Sequence, residues 1–134
     1  MKESFKKNIL IVIIFAIIGC TEDIPIKKIE IRKVDFAITS IITVDCNNLE
    51  NYFKEELETI IIEDKSKIEK IFKIISNLEN DTSNYKPDVR AKLLIYYEKD
   101  KVDTICMSNV GIILNGQSYY INKELVDFVK NANN

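Results

Sequence analysis

Asn115-Gly116 stands between two apolar runs, residues 110–114 and 117–121. A type I′ turn needs positive φ at both central residues, and Asn-Gly tolerates this best, so the two runs predict an antiparallel hairpin. A second pair of runs, 90–98 and 101–107, flanks Lys99-Asp100. Read as a two-residue turn, Lys99-Asp100 sets Tyr97 opposite Val102, Ile95 opposite Thr104 and Leu93 opposite Cys106. Two hairpins in succession commit this part of the chain to an antiparallel sheet, whose apolar face must be covered by something else.

Two amphipathic segments can supply the cover. Ile68, Ile71, Phe72, Ile75 and Leu78 recur at three- and four-residue spacings, which predicts a helix over 65–77 with one apolar stripe. Asp64 can cap it, and so can Ser66, with Glu69 three residues on. Leu125, Val126, Phe128 and Val129 predict a short closing helix behind an Asn122 N-cap. Upstream, Ile29 and Ile31 alternate, the phase slips at Arg32-Lys33, and Val34, Phe36, Ile38, Ile42 and Val44 then share one face. This predicts one long strand with a bulge or bend, ended by the turn residues 45–48. Residues 51–58 read as a loop or one helical turn, 59–62 as a second strand and 80–88 as a loop. The fold class is α+β: a two-layer sandwich, with an antiparallel sheet of five or six strands and two helices packed on one face.

The first twenty residues follow a different logic. Lys2, Lys6 and Lys7 precede an unbroken apolar run over 9–18 (ILIVIIFAII), and Gly19-Cys20 follows directly. A spanning helix needs about 20 apolar residues, so this run matches the core of an export signal instead. Ile17-Ile18-Gly19-Cys20 resembles the lipobox of bacterial lipoproteins: two aliphatic residues, a small one, then Cys. The resemblance covers residues 1–20 only. It implies that the Cys20 sulfur takes a diacylglyceryl group, that the chain is cut after Gly19, and that Cys20 becomes the mature N-terminus. The competing reading is an uncleaved apolar anchor with a coincidental Cys. The expected organisation is a signal peptide over 1–19, a lipidated tether over 20–28 and one α+β domain over 29–134. The expected location is the cell membrane, through the lipid on Cys20, or the outer membrane in a Gram-negative cell.

Charge and residue types restrict the function. Loss of residues 1–19 removes Lys2, Lys6, Lys7 and Glu3, so 19 basic and 21 acidic residues become 16 and 20, a net charge of −4. That balance leaves no basic surface for phosphates, and nucleic acid is not an expected partner. With Cys20 lipidated, Cys46 and Cys106 remain in an exported compartment, where a disulfide persists. Joined, they contribute about 4 kcal/mol on the chain-entropy view. Two separately buried thiols are the alternative. The chain has no histidine, which removes the usual general base near neutral pH and the commonest transition-metal ligand. Three glycines cannot build a phosphate-cradling loop. Carboxylates cluster at the hairpin tip (Glu98, Asp100, Asp103) and along Glu55, Glu56, Glu58, Glu63 and Asp64. Neither group has the spacing of a calcium loop, so no metal or cofactor is expected. Asp88 and Arg90 read as a strand-entry ion pair.

The register above leaves Leu94, Tyr96, Ile105, Met107, Ile113 and Tyr120 on the sheet face away from the helices. An open face this rich in apolar residues and Tyr is a candidate partner-binding surface, unless the acidic segment, the second helix or the N-terminal strand covers it. The function expected is a non-enzymatic, membrane-anchored binding or inhibitory module, immunity-like in size and acidity, engaging a protein partner at the cell envelope. The alternatives are a structural envelope component and a small carboxylate-based hydrolase, which needs two carboxyls about 5–10 Å apart beside a cleft.

Overall fold

The computed structural model describes residues 25–133. Cys20, the apolar run over 9–18 and the lipobox lie outside the described residues. The elements in chain order are β1 (Ile26–Lys33), α1 (Leu49–Tyr52), β2 (Glu58–Ile62), α2 (Lys65–Ser76), β3 (Ala91–Tyr97), β4 (Val102–Met107), β5 (Ile112–Leu114), β6 (Gln117–Tyr119) and α3 (Lys123–Asn131). The strands make one sheet in the order β2-β1-β3-β4-β5-β6, antiparallel at every pairing. β1 begins at Ile26, so 26–28 belong to the sheet and not to a tether.

α2 and α3 lie on one face. Ile29 and Ile31 of β1, Ile60 and Ile62 of β2, Leu93 and Ile95 of β3, and Ile105 and Met107 of β4 meet Ile68, Ile71 and Ile74 of α2 and Leu125, Val126 and Val129 of α3. Both helices begin where the sequence places their caps. Asp64 accepts from Lys67 N at 2.9 Å, and Asn122 accepts from Leu125 N at 3.0 Å. Each cap satisfies one of the N–H groups that a helix start leaves without a partner. The end of α3 is closed from the sheet. Lys33, in the same phase as Ile29 and Ile31, is buried, and its Nζ donates to the carbonyls of Val129 (3.1 Å), Lys130 (2.9 Å) and Ala132 (2.7 Å). A cation is favoured there, because the last carbonyls of a helix carry its negative end.

The Asn115-Gly116 turn has φ of 47° and 83°, the two positive values a type I′ turn requires. The other hairpin differs from expectation by one residue. Tyr96 pairs with Val102, Ile95 with Asp103 and Leu93 with Ile105. The turn has three residues, Glu98-Lys99-Asp100, with Asp100 at φ 57° and Tyr97 N donating to Lys101 O at 2.9 Å. A left-handed third residue closes a loop of this length, and Asp accepts that conformation readily. A one-residue slip moves every side chain of a strand to the other face.

The long N-terminal strand is also shorter than expected. β1 ends at Lys33, and its only register irregularity lies between Ile26 and Lys28. Residues 34–48 leave the sheet at the end of β1; Phe36 still packs with the main core, and the rest turns onto the second face, where Val34, Val44, Leu49, Phe53, Val89 and Cys106 form a separate small core.

Candidate functional site

The corrected register divides the expected partner-binding face. Leu94, Tyr96 and Ile113 occupy the second face, half-buried. Ile105 and Met107 do not: both are fully buried in the core under α2 and α3. Tyr120 follows β6, half exposed, and its N–H donates to Glu79 O at 2.9 Å. Between Ile105 and Met107, Cys106 is the residue that points from β4 to the second face. That placement brings it to Cys46, with Cα atoms 5.7 Å apart, and the two form a disulfide.

Among the described residues, the second face is covered over part of its area. Towards the Lys33 end, the 34–57 segment lies on it, and α1 presents Glu50 to the strands. Glu50 accepts from Arg32 Nη1 at 3.0 Å and Lys92 Nζ at 2.9 Å, while Arg32 Nε donates to Glu30 at 2.7 Å. Burial by itself raises the Glu50 pKa, but the bonds from Lys92 and Arg32 outweigh it and hold the carboxyl below its ordinary range. A carboxylate held ionised between two cations cannot serve as a general acid near neutral pH. Beyond this belt lie Lys28, Leu94, Tyr96 and Thr104, all half-buried, with Lys28 Nζ 4.8 Å from the centre of the Tyr96 ring.

A tight polar network holds the turn-rich segment in place. Arg90 is buried and pairs with Asp88 at 2.7 Å. It also donates to the carbonyls of Ile38 (3.0 Å) and Val89 (2.9 Å) and to Ser40 Oγ (2.9 Å), and it lies over the Phe53 ring. Asp88 accepts in turn from Val44 N at 2.7 Å. Burial raises the Asp88 carboxyl, but the Arg90 and Val44 donors prevail and lower it. Ile41 N donates to Tyr52 Oη at 3.3 Å. The loop so pinned carries Ile41, which is 99% exposed, and Ile42, 61% exposed. Sequence reasoning placed Ile42 on a strand face and passed over Ile41. The signal lay in their adjacency, since an alternating strand sends neighbours to opposite faces.

The carboxylate clusters separate. Asp103 accepts from Tyr97 Oη at 2.7 Å and Asn115 Nδ2 at 2.9 Å, while Glu98 and Asp100 are exposed. Glu55, Glu56, Glu58, Glu63 and Asp64 are all exposed. Among the described residues, no three His, Cys, Asp or Glu side chains converge to hold a metal ion. A groove of about 1040 Å³ runs between β2 and α3, lined among others by Ile60, Ile62, Asp127 and Phe128. Two of its carboxylates are engaged, Asp64 by the start of α2 and Glu124 by Lys70 at 4.0 Å. Comparison with family models, with curated proteins and with solved structures finds no match to the chain.

Proposed function

We propose that this chain is a membrane-anchored lipoprotein whose small α+β domain acts as a non-catalytic binding or inhibitory, immunity-like module at the cell envelope. The observation that carries the proposal is Ile17-Ile18-Gly19-Cys20 directly behind a basic start and a ten-residue apolar run over 9–18. The Cys46–Cys106 disulfide supports it, because such bonds persist in exported compartments and are rare in a reducing cytosol. The described residues hold no helix long and apolar enough to cross a membrane. The proposed attachment is through acyl chains on Cys20, each buried CH₂ contributing about 0.8 kcal/mol. The non-catalytic part of the reading draws on the lack of any histidine and on Glu50 and Asp88 each being tied to cations.

Substitution of the proposed acyl acceptor tests the anchor. In cells fed a labelled fatty acid, the wild-type chain is expected to carry label and to be shortened. Cys20→Ser is expected to lose both the label and the cut. A Cys20→Ser chain that is still labelled and processed contradicts the proposal.

A further inference from the structure

We propose that the pinned loop over 38–44 is the docking site for a protein partner whose surface offers an apolar pocket rimmed by Lys or Arg. The proposal rests on the membrane-anchored reading and names the site and the partner chemistry within it. The first observation is the loop itself. Two adjacent isoleucines stand in solvent, one of them 99% exposed, on a loop without regular secondary structure. Among the described residues, Ile41 and Ile42 are the two most exposed of the large apolar side chains, and they are adjacent, where exposed apolar residues are ordinary when scattered singly. The loop is nonetheless held at Ile38, Ser40, Ile41 and Val44 by Arg90, Asp88 and Tyr52. The disulfide at Cys46 then fastens its far side to β4. A loop ordered before binding loses little conformational freedom on contact, which favours affinity.

The second observation is charge. The exposed ionisable side chains that follow the loop as far as residue 56 are Asp45, Glu55 and Glu56 against Lys54, a net of −2, while Glu50 is already matched by Arg32 and Lys92. Asp45, next to the loop in the chain, is exposed, and an apolar centre flanked in sequence by an acidic surplus complements an apolar pocket with a basic rim. The third observation is where the tether enters. Pro25 accepts from Glu98 N at 3.0 Å, at the end of the sheet opposite Lys33. Five steps of chain from Cys20 to Pro25 reach at most about 17 Å. β1 then carries the chain about 25 Å further before the loop begins. The isoleucines therefore stand at the end of the sheet opposite the point where the chain enters, and on the anchored reading a protein surface can reach them without competing with the lipid that holds Cys20.

Photo-crosslinking in the producing cells tests this on the full-length chain. A benzophenone amino acid replaces Ile41 in one strain and Phe72, an exposed residue of α2, in another. The expected result is a protein adduct from position 41 and none from position 72. Its yield is expected to fall at least tenfold in the Ile42→Asp background and in the Asp45→Lys/Glu55→Lys/Glu56→Lys background. The partner peptide is expected to carry Lys or Arg beside apolar residues. Far-ultraviolet circular dichroism of the variants checks that they remain folded, and a milder Ile42→Ser background with a parallel, smaller loss serves should Ile42→Asp unfold. Absence of an adduct at 41, an adduct to lipid or to a second copy of this chain, equal adducts at both positions, or insensitivity to the charge reversals each overturns the proposal. Fatty-acid labelling of the same cells separates the two readings. Label without adduct removes the docking site alone, and adduct without label removes the anchor alone.

Discussion

Lys33 occupies a core position because α3 ends above it. Its Nζ meets three terminal carbonyls, and no apolar side chain of that length can do so. Lys33→Met keeps the volume and removes the donors, and is expected to cost about 2–3 kcal/mol, read by urea denaturation. The Ile29-Ile31 alternation was visible in the sequence, but it reads as slipping at Arg32-Lys33, because a lysine on the core face has no obvious acceptor until α3 is placed. The Asp64 and Asn122 caps were legible because each acts on a backbone N–H three residues away. Tyr97 and Asp103 make the second residue-scale case. Burial, with the bond to Asp103 added, pushes the Tyr97 phenol well above its usual pKa. A raised folded pKa contributes stability that is complete below the unfolded value of about 10 and is lost as pH rises beyond it. Asp88, Asp103 and Glu50 are lowered, so their contribution is complete above the unfolded carboxylate range of about 4 and is lost as pH falls below it. Unfolding free energy measured against pH is expected to fall at both ends, and Tyr97→Phe is expected to flatten the alkaline arm and, by taking a donor from Asp103, to soften the acid arm to a smaller extent. A variant that keeps the full alkaline slope contradicts this assignment.

Turns decided which elements could be read in advance. Asn115-Gly116 admits one backbone path, and its strands were placed correctly in register. Lys99-Asp100 admits a two- or a three-residue turn, and local sequence does not choose between them. The choice moved Ile105 and Met107 into the core and turned Cys106 outward. Asn115 also binds the two hairpins together, accepting from Thr104 N at 2.8 Å and donating to Asp103 at 2.9 Å. Asn115→Ala loses both bonds and its tolerance of positive φ, and is expected to destabilise by about 2–3 kcal/mol in thermal or urea unfolding. Residues 34–44 depart from the expected strand for a different reason, while the turn at 45–48 and the single helical turn after it are as the sequence reads. Alternating apolar residues at 34, 36, 38, 42 and 44 describe a strand only if a neighbouring strand is there to pair with. β2 and β3 already flank β1, and the segment folds over the second face instead. Removing its staple with Cys46→Ala/Cys106→Ala is expected to cost about 4 kcal/mol. Hydrogen exchange is expected to quicken in 34–57 before it does in β3 or β4. Uniform quickening across the sheet contradicts a separate second core.

The molecule as a whole is a sheet with two unlike faces. One buries a continuous core under α2 and α3, and the other is covered in part by a segment held through a disulfide and the Arg90–Asp88 pair. The two-layer α+β architecture could be read from periodicity, because hairpins and amphipathic stripes are local signals. The distribution of the second face could not, since it follows from which side of β4 reaches Cys46. The chain enters this body at the end opposite the pinned loop, an arrangement that suits a domain held at a bilayer and reaching outward from it. The attachment is the premise of that account. Intact-mass analysis of the protein extracted from native membranes tests it most directly. The expected species begins at Cys20 and is heavier than residues 20–134 by a diacylglyceryl group. A species that begins at Met1, or one that begins at Cys20 with an unmodified sulfur, contradicts it.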